Sequence, residues 1–390
     1  MNTRPQKNAE PESQEEKERV VANEVRLNRK QWLIALLSSG IILAMLPILW
    51  TRIEPLPDGN DYRLPYELSK DYWLYERMTG TLESNDIAVV GDSVVWGEYV
   101  RPDGTLSHFL NQELSDEPFI NAGVNGLFPL ALEGLIKHYG KTIRNRKVLL
   151  HCNLLWLSSP EADLSSSKEQ AFNHQSLVPQ FVPRILCYKA DIDERLGIVF
   201  QNHLPILQWV NHLKNAYFDQ QDIYQWTLAD DGKYPQGYLN SYRNPLRQIT
   251  MTIPEESPND PDRGPTSARH HPWSSTGIGT QVFDWVKPEM SLQWKSFQRL
   301  MDLILKRNND LLVILGPFNR HIMASENQND FIDLRKRILA DFKNKSIPVI
   351  NPELLPSKLY GDASHPLTAG YALLAKRLAN HPEFNSWLNR

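Results

Sequence analysis

The stretch DIAVVGDS, residues 86–93, is where the fold is decided. Ile87, Val89 and Val90 make an apolar, β-branched run that reads as a short buried strand over 86–90. Gly91-Asp92-Ser93 closes it, so a serine stands just past a strand end. Runs of the same kind recur outward from it, at 148–157 (VLLHCNLLWL), 311–315 (LLVIL) and 347–350 (IPVI). Amphipathic spacing predicts helices over 130–142, 291–307, 330–344 and 368–379. Short apolar strands alternating with helices predict the α/β class, with a parallel sheet covered by helices on both faces.

The middle of the chain breaks this rhythm. Residues 188–217 have helical apolar spacing, and 253–276 (IPEESPNDPDRGPTSARHHPWSST) are rich in Pro, Ser, Gly and Asp, as an exposed loop is. Residues 160–285 therefore read as an insertion that forms a cap or one wall of a cleft.

Toward the N-terminus lies QWLIALLSSGIILAMLPILWT, residues 31–51, without a charge. About 20 apolar residues suffice to cross a bilayer as a helix. Trp32 and Trp50 bracket the run as interfacial aromatics do, and a buried core helix would need a wider polar stripe than Ser38 and Ser39 offer. Arg26, Arg29 and Lys30 precede the run, whereas Glu54, Asp58 and Asp61 follow Arg52. That bias predicts a cytoplasmic N-terminus and an extracytoplasmic remainder. The apolar region is too long for a cleaved signal, and no small-x-small site follows, so an uncleaved signal anchor is expected. Residues 1–30 are too polar to bury a core and read as a disordered cytoplasmic tail. Residues 52–83, with Pro55, Pro57 and Pro65, read as a linker to a domain over 84–390.

The whole chain has 390 residues, 41% of them hydrophobic, enough for a full core. Its net charge of −4 gives no electrostatic reason to expect nucleic acid as a partner. The 11 Trp suit sugar binding or ordinary core packing. The two cysteines, Cys152 and Cys187, have no zinc spacing. They could form one bridge in an oxidising compartment, and Cys152 also reads as a buried thiol in a strand. His270-His271 is too isolated for a metal site, and no phosphate loop or dinucleotide fingerprint is present. Neither metal nor cofactor is expected.

Four blocks carry chemistry. Ser93 past its strand can open a helix with its hydroxyl in the cleft, where ligands of parallel sheets sit, or it can serve as a plain helix cap. Asp362-Ala-Ser-His365 near the C-terminus places a base and an orienting carboxylate in one loop; His365 would take the Ser93 proton and Asp362 would fix the imidazole tautomer. In Asn121-Ala-Gly123-Val-Asn125-Gly126 the N–H of Gly123 can point into the cleft. Asn153 sits within HCNLLW, where a buried amide is costly unless it has a partner. With the Ser93 N–H, Gly123 and Asn153 give three donors for an oxyanion.

In this order the blocks resemble those of the SGNH (GDSL-type) hydrolase superfamily. The likeness falls on Ser93, Gly123, Asn153, Asp362 and His365, over about 84–157 and 310–380. One block departs: where the family has GxND, this chain has His151-Cys152-Asn153-Leu154. Such a relaxed block is similar to that of membrane-anchored polysaccharide acetyltransferases. The resemblance implies a three-layer α/β/α flavodoxin-like fold and a two-step acyl transfer through acyl-Ser93. It implies an acylated carbohydrate or other ester as substrate, and water or a sugar hydroxyl as acceptor. A polytopic membrane acyltransferase would be a fitting partner. A non-catalytic glycan- or partner-binding accessory is the alternative. Trp96 either lines the pocket or packs in the core; Asn319, beside Arg320 after a strand, either contacts substrate or makes a surface turn.

Overall fold

Strand β1 (Ile87–Gly91) forms because all five of its residues are buried, which only a central strand allows. The computed structural model that contains it describes residues 27–57, 59, 61–114, 118–229, 244–256, 271–277 and 279–390. The predicted tail up to residue 26, His270 and most of the loop 253–276 lie outside them.

In chain order the elements are α1 (Arg29–Ile53), α2 (Tyr72–Gly80), β1, α3 (Ser93–Trp96), α4 (Leu106–Glu113), β2 (Phe119–Gly123), α5 (Pro129–His138) and β3 (Lys147–Cys152). Then follow α6 (Ile192–His203), α7 (Pro205–Tyr217), α8 (Ile223–Leu228), α9 (Pro245–Gln248) and α10 (Leu292–Lys306). The chain ends with β4 (Asp310–Leu315), α11 (Gln328–Asn344), β5 (Val349–Ile350), α12 (Thr368–Ala379) and α13 (Pro382–Leu388).

The sheet is parallel throughout, in the order β2-β1-β3-β4-β5. Alternate strand residues feed two cores. Ala88, Val90, Val148, Leu150 and Val313 enter one, with Leu135 of α5 and Phe297 of α10. Ile87, Val89, Leu149, Leu312 and Ile314 enter the other, with Leu110 of α4 and Tyr371 of α12. A period of two with both sets buried is what an α/β sheet requires.

The chain divides into two compact units, 1–49 and 50–390. Helix α1 is long and apolar enough to cross a membrane, with a mean hydropathy of 2.3 over its most apolar window. Residues 52–83 are not a linker. Leu64, Leu68, Tyr72, Tyr75 and Met78 are buried in the first core, and α2 is capped by Asp71, which accepts from the Leu74 N–H. Pro55 and Pro57 mark the extended entry to this packed segment, and Pro65 lies buried within it, before the 3-10 turn Tyr66–Leu68.

Two further boundaries differ from the sequence reading. The run 148–157 is not one strand: β3 stops at Cys152, and Asn153 caps a 3-10 turn over Leu154–Leu157. Gly123 is the last residue of strand β2. Cys152 and Cys187 are both buried free thiols, so no bridge links them.

Candidate active site

The strand order reverses at β1, which lies between β2 and β3, and ligands of parallel sheets bind at such a switch point outside the carboxyl ends. Ser93 follows β1 and Asn153 follows β3, so both stand there. His365 and Asp362 reach the same place from the loop before α12. His365 Nε2 lies 2.8 Å from Ser93 Oγ, and His365 Nδ1 lies 2.7 Å from Asp362 Oδ2. The three residues read from sequence as nucleophile, base and orienting carboxylate thus form one hydrogen-bonded chain.

The Asp362 loop is held from several sides. Its Oδ1 accepts the backbone N–H groups of Ser364 and His365, both at 2.9 Å. Tyr99 donates its hydroxyl to Oδ2 at 3.1 Å and sets its ring edge-on to His365 at 5.5 Å. Tyr99 does so from a left-handed backbone, φ 67°, a conformation that costs a bulky side chain energy.

Asn319 is fully buried and does not face a substrate. Its Nδ2 donates to the Asp362 carbonyl at 2.9 Å, its N–H donates to the Ala363 carbonyl at 2.8 Å, and its Oδ1 accepts the His321 N–H. The expectation of substrate contact is replaced by a brace behind the loop that carries Asp362 and His365. Trp96 is likewise core: it is 1% exposed, its Nε1–H donates to the Leu64 carbonyl, and the Arg63 guanidinium covers its ring at 3.8 Å.

Helix α3 has only four residues, so its backbone carbonyls need partners from outside. Ser93 O accepts from the Gly97 and Glu98 N–H groups, with Gly97 in the left-handed region at φ 94°. Tyr371 donates to Val94 O, Asn121 Nδ2 to Val95 O, and Arg63 to Trp96 O and Gly97 O. Every carbonyl of α3 is therefore spoken for. Arg63 also pairs with Glu256 at 3.0 Å. At the other end, Asp92 caps the helix through the Val94 N–H at 3.0 Å. Among the described residues nothing accepts the Ser93 N–H, which leaves it as an orphan donor at a helix start.

Asn153 is held by the same Asp92. Its Nδ2 donates to Asp92 Oδ2 at 3.0 Å, and its Oδ1 accepts the Leu155 N–H. Trp156 Nε1–H also donates to Asp92 Oδ2, and His151 Nδ1 stands 2.9 Å from Oδ1. Burial acts to raise the Asp92 carboxyl, but His151 and the Asn153 bond outweigh it and hold it low. The unusual His151 thus serves a buried carboxylate, and one N–H of the Asn153 amide is left for other use.

Gly123 does not offer a free N–H, because Asn121 Oδ1 accepts it at 3.0 Å. A glycine is needed there for closeness instead: a Cβ would stand 2.5 Å from Trp96 N. Gly126, three residues on at φ 75°, borders a cavity of about 350 Å³ that Phe128, Phe172 and Asn173 also line.

Burial works against a charged His365, but the Asp362 carboxylate, helped by Glu98 and Asp92, outweighs it and raises the imidazole to about 9. Burial works against the Asp362 charge too, and His365 outweighs it, lowering the carboxyl to about 2. Burial raises Glu98, whose carboxylate accepts from Asn125 Nδ2. Among the described residues no three His, Cys, Asp or Glu side chains gather as a metal site. Arg63, Tyr99 and the bracing role of Asn319 carry no signal in the sequence, since each works through a contact with residues distant in the chain. No family model matches the chain, and no curated protein matches it.

Proposed function

We propose that the chain is a serine acyl-ester hydrolase or O-acyltransferase of the SGNH type, with a three-layer flavodoxin-like α/β/α domain. Its substrates are acetyl groups of a cell-surface or exported glycan. The observation that carries this reading is the chain of hydrogen bonds from Ser93 through His365 to Asp362 at the sheet's switch point. In support, the strand order 2-1-3-4-5 is that of flavodoxin-like sheets.

Ser93 Oγ attacks the ester carbonyl while neutral His365 takes its proton through Nε2. Asp362 holds the opposite nitrogen and stabilises the imidazolium that forms. The carbonyl oxygen becomes an oxyanion, met by the Ser93 N–H and the Asn153 amide. His365 returns the proton to the departing alcohol, which leaves acyl-Ser93. Water or a sugar hydroxyl then attacks the acyl-enzyme, and the same histidine serves as base.

Helix α1 anchors the domain to the membrane, and the Lys/Arg bias sets the catalytic unit on the extracytoplasmic side. A polytopic membrane acyltransferase is the fitting source of acetyl groups there. Turnover of p-nitrophenyl acetate by the full-length protein, with Ser93→Ala as control, tests the chemistry. Equal nitrophenol release by both would favour a non-catalytic glycan-binding accessory. Offering an acetyl donor with oligosaccharides separates the two acceptors: acetylated glycan in the mass spectrum would sink a pure esterase.

A further inference from the structure

The insertion carries a surface that acyl transfer leaves unused. Ile192, Leu196 and Phe200 recur every four residues on α6, and Leu204, Leu207 and Val210 continue the stripe into α7. All six are exposed, from 37% for Leu207 to 71% for Ile192. Glu194, Gly197 and Gln201 repeat on another face of α6. Scattered exposed leucines are ordinary, but a contiguous apolar stripe on a helix pair marks contact with an apolar phase. Phe181 and Val182, in the loop before α6, are exposed as well, beside exposed Arg184 and Lys189.

The stripe's place along the chain identifies that phase. Trp50 packs edge-on against Trp209 and Tyr217 of α7, at 5.4 and 6.4 Å between ring centroids. Four residues on, Glu54 is fully buried: it accepts from the Tyr217 hydroxyl, pairs with Arg77, and meets His212 Nε2 at 3.0 Å. The other His212 nitrogen meets Asp71 at 2.7 Å. Helix α7 is thus bolted to residues 50–54, about one helical turn of chain that closes α1 at the end of the apolar run.

We propose that the consecutive helices α6 and α7 are an interfacial membrane element, with their stripe in the headgroup–acyl boundary of the bilayer that α1 crosses. The inference rests on α1 spanning the membrane, as proposed above. Interfacial helices bury one apolar face about 5–10 Å deep and keep basic side chains at the headgroups, a role open to Arg184 and Lys189. Held at two places, the domain presents the Ser93 cleft at a set orientation to the lipid surface, where a single tether would let it swing.

Full-length protein in phosphatidylcholine–phosphatidylglycerol vesicles tests this. Single-cysteine variants Phe200→Cys and Leu207→Cys carry an environment-sensitive nitrobenzoxadiazole label. Cys152 and Cys187 are buried and escape labelling. Leu36→Cys on α1 is the bilayer reference, and Lys336→Cys on α11, exposed, is the water reference. The labels at 200 and 207 shift to shorter wavelength and lose most of their emission to lipids with a shallow nitroxide, as the Lys336 label does not. Water-like emission at 200 and 207, with Leu36 quenched, refutes the interfacial placement of α6 and α7 and leaves the anchor standing. An unquenched Leu36 label overturns both. A blue shift at 200 and 207 that lipid nitroxides do not quench, and that grows with protein density, assigns the stripe to a second copy instead.

Discussion

Asp362→Asn removes the charge that holds His365 protonated. His365 sits at about 9, against an ordinary 6.5. That difference corresponds to roughly 3 kcal/mol of favourable interaction with the imidazolium. The Asp362 side chain is 35% exposed, so solvent screening reduces the share belonging to the pair to roughly 2 kcal/mol. Because the folded value of His365 is raised, this stabilisation is full below pH 6.5 and is lost as pH rises through about 9. Asp362 itself is lowered from 3.8 to about 2, so its contribution is present above pH 3.8 and is lost as pH falls through about 2. The stability gap between wild type and Asp362→Asn is therefore widest between pH 3.8 and 6.5 and closes above about 9. Catalysis needs the neutral imidazole, so kcat/KM of the wild type climbs on an acid limb centred near 9. In the variant that limb moves down by more than about one pH unit, and the plateau rate falls on the order of 10⁴-fold because the tautomer is no longer fixed. The assay is p-nitrophenyl acetate turnover across pH, with Ser93→Ala subtracting spontaneous hydrolysis. An acid limb at the same pH in both proteins would refute the coupling of these two side chains.

Asn319→Ala removes the side-chain brace on the Asp362 carbonyl and the acceptor of the His321 N–H, while the backbone bond to Ala363 stays; kcat should fall roughly 10-fold with little change in KM, and chemical denaturation should register a loss of about 1–3 kcal/mol. Arg63→Met strips partners from the Trp96 and Gly97 carbonyls and leaves Glu256 unpaired. A loss of about 3–5 kcal/mol is expected in urea unfolding, and Arg63→Lys should not restore it because an ammonium lacks the planar fork. Gly123→Ala drives a Cβ against Trp96 N, a backbone atom that cannot rotate away. It should cost at least about 1–3 kcal/mol, and a crystal structure of the variant should show α3 displaced from β2.

Much of this architecture could be read from the chain because burial leaves a direct imprint. Strand β1, buried throughout, and β4, buried after Asp310, read as apolar runs, and α10 and α11 as amphipathic periods. The hydrogen-bonded grouping of Ser93, His365 and Asp362 could be read because its members fall in two short blocks, one closing a strand and one preceding a helix. What the sequence concealed depends on three-dimensional neighbours. Asn153 looked like a strand residue because Leu154, Leu155 and Trp156 prolong the apolar run, yet the amide ends β3 by capping a turn. Asn319 stands beside Arg320 just past a strand, in a stretch that reads as a surface turn, and only the approach of the Asp362 loop buries it. The segment 52–83 is rich in proline and charge, which masks the three-and-four spacing of Leu64, Leu68, Tyr72, Tyr75 and Met78. Gly123 drew notice for its N–H, whereas its missing Cβ is what the packing uses.

The central claim is that Ser93 is an activated nucleophile. The most direct measurement is to treat the full-length protein with a fluorophosphonate ester and map the adduct by peptide mass spectrometry. The account predicts a single phosphonylated residue, Ser93, with labelling abolished in Ser93→Ala and slowed at least about 10²-fold in His365→Ala. A wild-type protein that takes no label at Ser93 above the pH of the acid limb, or one that labels as fast without His365, would contradict it.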